Sequence, residues 1–186
     1  MNTWIALLRG INVVGKNKLP MKELAATLEA AGFNSVRTYI QSGNVVFRSA
    51  RGTARTLSER IEELVLANFG FAPRVIVITA GELAAAVRGN PFPGAQRDHK
   101  SLHLYFLAER PSKLDLESLA RIDAGSEEFA LKGGVFYLYT PDGFAESVLR
   151  PRIERCLGVA ATARNWRTAN ELLKAVNQPY RTADVG

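Results

Sequence analysis

Among its 186 residues the chain has one cysteine, two histidines and two tryptophans, and no apolar run near the ~20 residues of a membrane-spanning helix. Each scarcity removes a class of function. A single cysteine, Cys156, excludes an internal disulfide, and its place among Ile153, Leu157 and basic residues at helical spacing reads as a structural thiol. His99, in the polar stretch Arg97-Asp-His-Lys100, and His103, on the strand that follows, are the only imidazoles, and both read as structural. Nucleophilic catalysis by Ser42 would need a base and an oxyanion site that the sequence does not point to. No His, Cys, Asp or Glu cluster has metal-ligand spacing, so neither metal nor cofactor is expected, and an enzyme is the less favoured reading. Met1-Asn-Thr-Trp4 runs directly into a short strand without a basic leader, so a soluble, cytoplasmic protein is expected.

What is present is enough apolar content, 47%, for one large core or two small ones. The formal net charge is +6, from 24 Lys and Arg against 18 Asp and Glu, which can steer anionic partners or serve solubility alone. The basic residues are spread out except for a local knot, Arg9, Lys16, Lys18 and Lys22, with no acid until Glu23.

Trp4 to Leu8 predicts a first strand that is apolar on both faces. A glycine- and asparagine-containing loop, Gly10 to Leu19, follows, and Pro20 suits the first turn of a helix carrying Met21, Leu24, Leu28 and Ala31, stopped by Gly32. Val36 to Ile40 and Val45 to Arg48 pair as strands through the turn Gln41-Ser-Gly-Asn44. A polar stretch then leads into a helix with Leu57, Ile61, Leu64 and Asn68 on one side, closed by Gly70, and Arg74 to Ile78 is a fourth strand, again doubly apolar.

The order β-α-β-β-α-β recurs after the capping box Thr79-Ala-Gly-Glu82 and the connector Asn90-Pro-Phe-Pro-Gly94. Leu102 to Leu107 is a strand, Ser112 caps a helix with Leu116, Leu119 and Ile122, Glu128 to Lys132 pairs with Val135 to Thr140 through two glycines, and Pro151 to Gly158 brackets a short helix. Ala160 to Ala163 gives a last strand, Thr168 opens a final helix with Glu171, and the tail after Pro179 reads as loose. The expected fold class is therefore α+β, two ferredoxin-like (α/β-plait) halves packed together: residues 1–79, a connector at 80–99, and 100–186 with the C-terminal helix. A monomer and a homodimer are equally compatible with this pattern.

Right-handed crossovers make the first two strands parallel with the third between them, which gathers the end of strand one, the turn after strand two and the start of strand four at one edge. Arg9, Asn12, Lys16, Asn17, Tyr39, Gln41, Ser42, Asn44 and Arg74 are then neighbours. Cations and amide side chains around glycine-supported backbone suit an anion: a nucleotide, a phosphorylated metabolite or a nucleic-acid backbone. The stretch Gly10 to Lys16 is not a P-loop, since a second glycine directly before the lysine and a following Ser or Thr are missing. The rival reading gives the glycines to turns and lets Asn12 and Asn44 bond backbone. A protein-interaction module without a small ligand is a third. RNA binding on the sheet face is disfavoured, because strand three offers Asn44-Val-Val-Phe47 where alternate aromatics are wanted. Arg164, Asn165 and Trp166 form a second conspicuous group, read either as a helix cap with a buried indole or as a stacking and anion-binding corner.

Leu8-Arg-Gly-Ile-Asn-Val13 with Gly15-Lys-Asn17, then Thr38-Tyr-Ile-Gln-Ser-Gly-Asn-Val-Val-Phe47, then Ala161-Thr-Ala-Arg-Asn-Trp-Arg-Thr168, together resemble the bacterial domain-of-unknown-function family 1697. That resemblance implies two α/β-plait subdomains and brings no established activity, cofactor or catalytic residue. Val14 departs from the family's loop, which resembles Asn-Val-Gly-Gly.

Overall fold

The computed structural model describes residues 1–13 and 16–178, with the backbone alone at 96 and 97. The expectations for Gly15 and for the tail after Pro179 lie outside the described residues. Two compact units make up the chain, Met1–Ala80 with the chain from Glu171, and Gly81–Asn170.

In the first unit the order is β1 (Asn2–Arg9), α1 (Met21–Ala30), β2 (Asn34–Tyr39), β3 (Asn44–Ser49), α2 (Ala54–Phe69) and β4 (Arg74–Thr79). The strands form one sheet in the order β2-β3-β1-β4, with all neighbours antiparallel. Consequently β1 and β2 run parallel with β3 between them. Trp4, Ala6 and Leu8 of β1 join Val45, Phe47, Val75 and Val77 in one cluster with Leu24 and Leu28 of α1 and Leu57, Ile61 and Val65 of α2. The alternate residues Ile5, Leu7, Val46, Ile76 and Ile78 point the other way at the strand period of two and are buried as well. The doubly apolar strands are thus withdrawn from water on both faces.

Local signals set the helix ends. Thr53 and Thr56 form a reciprocal capping box at the start of α2, and Gly70, at φ 79°, closes it. Pro20 is the residue before α1 rather than its first, in extended backbone at ψ 118°. The buried stripe of α2 runs through Leu57, Ile61 and Val65, with Leu64 half-buried against the same core as expected, whereas Asn68 is exposed and donates to the Leu64 carbonyl at 2.8 Å.

The second unit contains most of α3 (Ala80–Arg88), then β5 (Leu102–Leu107), α4 (Leu116–Ala120), β6 (Glu128–Lys132), β7 (Val135–Tyr139), α5 (Ile153–Leu157) and β8 (Ala161–Asn165), and α6 (Trp166–Asn177) begins in it. Its antiparallel sheet has the order β6-β7-β5-β8. Tyr105, Leu119, Phe136, Leu138, Ile153 and Leu157 form the core, and Cys156 is buried beside them, as a structural thiol should be. Tyr137 donates its hydroxyl to the Ala86 carbonyl at 2.7 Å, and burial pushes its pKa up to about 12.

Two helix starts differ from expectation. Asp115, not Ser112, caps α4 by accepting from the Ser118 amide at 3.0 Å, and the helix ends before Ile122. The last helix starts at Trp166 rather than Thr168, because Asn165 at the end of β8 already accepts the Thr168 amide at 2.8 Å. Both displaced caps lost to an acceptor of equal quality nearer the first helical residue. Among the described residues no helix is long and apolar enough to cross a membrane.

Candidate functional site

The register of the first sheet brings its loops together. Leu7 pairs with Asn44, the Leu8 amide donates to the Gly43 carbonyl at 2.8 Å, and Arg9 pairs with Arg74. One end of the sheet therefore presents, in strand order, the β2–β3 turn, the exit of β1 and the entry of β4. The loop after β1 is fixed to this rim by Asn12, which takes a left-handed conformation at φ 52°. Its amide group donates to the Leu19 carbonyl at 2.9 Å and the Gln41 carbonyl at 2.8 Å, and accepts from the Leu19 amide at 2.8 Å. Asn17, at φ 51°, closes the loop on itself by donating to the Gly10 carbonyl at 2.8 Å and accepting from the Asn12 amide.

The turn is as tightly specified. Asn44 is fully buried and donates to the Tyr39 carbonyl at 3.1 Å and to Ser42 Oγ at 2.9 Å. Gly43 sits at φ 78°, and a Cβ there would fall 2.8 Å from Leu8 Cβ and 3.1 Å from the Leu8 carbonyl oxygen. Only glycine fits. Ile40 also has a positive φ, 50°, although it is β-branched, and its side chain is 52% exposed. Val13, in the neighbouring loop, is 54% exposed.

Asn12 and Asn44 have committed both amide hydrogens to the chain, so their part is to position the rim. Arg9, Lys16, Asn17, Lys18, Gln41, Ser42 and Arg74 face water, and Tyr39 is half-buried. Val13 and Ile40 are exposed at this rim although periodicity assigns them to ordinary apolar roles; an isoleucine directly beside a polar turn was the available signal.

The charge around this rim is uneven. Residues 1–80 hold ten Lys and Arg against five Asp and Glu, so they carry +5 of the chain's +6. All five acids stand on α1 and α2, while the strands and loops of this segment hold seven cations, of which Arg9, Lys16, Lys18 and Arg74 are at this rim and Arg48 and Arg51 at the other end of the sheet. Glu62 reaches back from α2 to accept the Val75 amide at 2.7 Å, beside Arg74. Two unit charges 4 Å apart in water attract by only about 1 kcal/mol, so any one exposed cation is a weak anchor and several are needed.

The second expected group belongs to the other unit, with Arg164 and Trp166 buried and Asn165 half-buried. Arg164 is buried, with Nη1 donating to Thr162 Oγ1 at 2.9 Å and the Ala163 carbonyl at 2.8 Å, and burial lowers its pKa to about 10, leaving it a cation. Asn165 is the cap of α6, and the buried Trp166 accepts from Asn170 through its carbonyl. His103 stacks on Phe144 with ring centroids 3.6 Å apart. Burial, helped by the charge of Arg150, lowers its pKa to about 4, so the imidazole is neutral at pH 7. Among the described residues no group of three or more His, Cys, Asp and Glu could hold a metal ion.

The model of a family described as proteins of unknown function, DUF1697, matches residues 1–137, which include both rim motifs and exclude Arg164 to Trp166. A solved structure, that of the conserved bacterial protein SP0830 from Streptococcus pneumoniae, is similar over 95% of this chain and 99% of that one, with a TM-score of 0.69 and 22% identity. At that identity the likeness is one of fold. No curated protein matches the chain.

Proposed function

The chain belongs to the DUF1697 family of proteins of unknown function, and from that premise we propose that the rim of its first unit binds an anionic ligand through phosphate. Arg9, Lys16, Lys18 and Arg74 supply the charge, and Asn17, Gln41 and Ser42 the hydrogen bonds, with Tyr39 as a flanking ring. Asn12 and Asn44 hold the two loops in place. The observation that carries this reading is the excess of cations, with every acid of residues 1–80 on a helix and Arg9, Lys16, Lys18 and Arg74 exposed at the rim, where Glu62 spends its carboxylate on the Val75 amide. Arg164, Asn165 and Trp166 have structural roles in it. We further read each unit as a ferredoxin-like half, supported by the β-α-β-β-α-β order and by the central antiparallel pair of each sheet.

An acyl- or phosphoryl-transfer enzyme using Ser42 is the weaker alternative. Ser42 Oγ accepts from the Asn44 amide, which is a donor and not a base. A thermal-shift titration with inorganic phosphate, pyrophosphate and nucleotides tests the proposal, since a ligand at 100 times its Kd adds ~2.7 kcal/mol of stability. Lys16→Glu and Arg74→Glu should remove the shift while leaving the unliganded melt in place. A shift that survives both charge reversals, or no shift with any of these anions, counts against it.

A further inference from the structure

We infer that the edge of β6 pairs with the β6 of a second copy of this chain, joining the two second-unit sheets into one antiparallel sheet. The inference is independent of the anion-binding reading. Among the described residues the two sheets have four edge strands, β2, β4, β6 and β8, and three of them are covered or broken. On β4 the Val75 amide is taken by Glu62 and the Val77 amide by Ser58 Oγ at 3.2 Å, both from α2. On β8 the Ala161 amide is taken by Glu154 of α5 at 2.8 Å. β2 is interrupted, with a register shift between Asn34 and Arg37 and with Ser35 at φ 52°. Such covers and irregularities keep an edge strand from pairing with another chain. β6 has neither. Its register with β7 is unbroken from Glu128 to Lys132, and among the described residues these positions make no hydrogen bond except to β7.

Hairpin geometry decides which groups face outward. Lys132 and Val135 flank the two-glycine turn as the hydrogen-bonded pair that closes it, so Lys132, Ala130 and Glu128 bond to β7. The amides and carbonyls of Phe129 and Leu131 are then turned to the open side. The strand's own sequence, Glu128-Phe-Ala-Leu-Lys132, selects a second copy as the occupant. An antiparallel pair centred on Ala130 sets Phe129 against the partner's Leu131, where the outward groups exchange backbone bonds. It sets Glu128 against the partner's Lys132 at each end. Both charges are exposed, and among the described residues neither is in an ion pair within the chain. Opposite charges directly across a strand pair attract, whereas like charges repel. A lysine alone would guard the edge; here a glutamate stands where the copy's lysine arrives. One patch is used twice about a two-fold axis, as a closed dimer requires.

Pairing along so short an edge buries less than the ~1,200 Å² of a standard interface, so a weak dimer is expected, with a Kd on the order of 10–100 μM. Sedimentation equilibrium on the full chain, from about 5 to about 500 μM, should show the mass rising from one chain towards two. Lys132→Glu and Glu128→Lys, each alone, set like charges across both ends and should weaken the dimer about tenfold. Mixed in equal amounts, the two single variants are complementary again and should dimerise about as tightly as wild type. The double variant carrying both changes should do the same. These restorations separate lost attraction from lost folding. Leu131→Pro removes an outward amide and none that bonds β7, and should abolish pairing with the far-UV circular dichroism unchanged. A single-chain mass over the whole range overturns the inference. So does a dimer indifferent to the single charge variants, or one that neither the mixture nor the double variant restores.

Discussion

β2–β3 and β6–β7 are corresponding hairpins of the two sheets, and their turns are built from different materials. In the second unit Lys132 pairs with Val135, and the two residues between them, Gly133 and Gly134, take φ 59° and 78° with open space around each Cβ position. This is the turn that fold stability alone would choose. In the first unit Tyr39 pairs with Asn44 across four residues, with Ile40 at φ 50°, a glycine enclosed by Leu8, and a buried asparagine tying the turn shut. All four described non-glycine residues with positive φ, Asn12, Asn17, Ser35 and Ile40, lie in the first unit. Strain and buried polar bonds gathered on one of two similar frameworks are what a positioned surface requires, and what a plain connection does not.

The comparison can be broken most sharply at the paired glycines. Gly43 and Gly134 share φ 78°, so alanine carries the same backbone penalty at either, roughly 1–2 kcal/mol. At Gly43 the new methyl also meets Leu8 backbone and side chain, whose strand is fixed in the sheet centre. Gly43→Ala should therefore lose about 4 kcal/mol or more in denaturant melts, and Gly134→Ala only about 1. Equal losses would mean that the two turns are equivalent.

A difference of the opposite sense concerns pH, because the buried imidazole lies in the second unit. His103 falls from an ordinary 6.5 to about 4 on folding, so the unfolded chain takes up a proton first as pH drops. Stability from this group is complete above pH 6.5 and declines through the window down to about pH 4, by on the order of 3 kcal/mol. Melts at pH 7 and pH 4.5 should differ by less in His103→Phe than in wild type. An unchanged difference would show that His103 is not the titrating group.

How far the sequence carried is clear from these same residues. Doubly apolar strands, glycine stops and the right-handed crossover rule placed β1, β3 and β4 and predicted that Arg9, the turn and Arg74 share one edge, since period and handedness are local rules with global consequences. What could not be read was which side-chain amides were already spent. Asn12 offers the same atoms to a ligand and to Leu19 and Gln41, and only the closed loop shows that the chain takes them. Asn165 stood between two readings, helix cap and binding corner, and the bond it accepts from the Thr168 amide makes it the cap of α6. Ile40 was placed in a strand because an isolated isoleucine carries no mark of a left-handed backbone.

Asn12→Ala sharpens the contrast at intermediate scale. It removes three hydrogen bonds from a half-buried loop that has no counterpart glycine to absorb the change. A loss of about 2 kcal/mol is expected, accompanied by faster amide exchange at Leu19. A melt within 0.5 kcal/mol of wild type would make Asn12 a spare side chain and return it to the list of ligand contacts.

The smallest expected effect is the most discriminating, because it is a gain. Ile40→Asn exchanges a β-branched residue at φ 50° for one whose short polar side chain tolerates that conformation, and removes apolar surface that is already half in water. Little packing is lost with it. The variant should be more stable than wild type by about 0.5–1 kcal/mol in urea melts. The corresponding change in the other hairpin, Gly133→Asn, should be neutral or slightly unfavourable, since glycine already meets the turn's demand at φ 59°. A first-unit turn that grows more stable on this change would show that Ile40 is kept there against the demands of folding. If Ile40→Asn instead destabilises the protein, the isoleucine packs productively where it stands, and the turn is a structural element like its glycine counterpart.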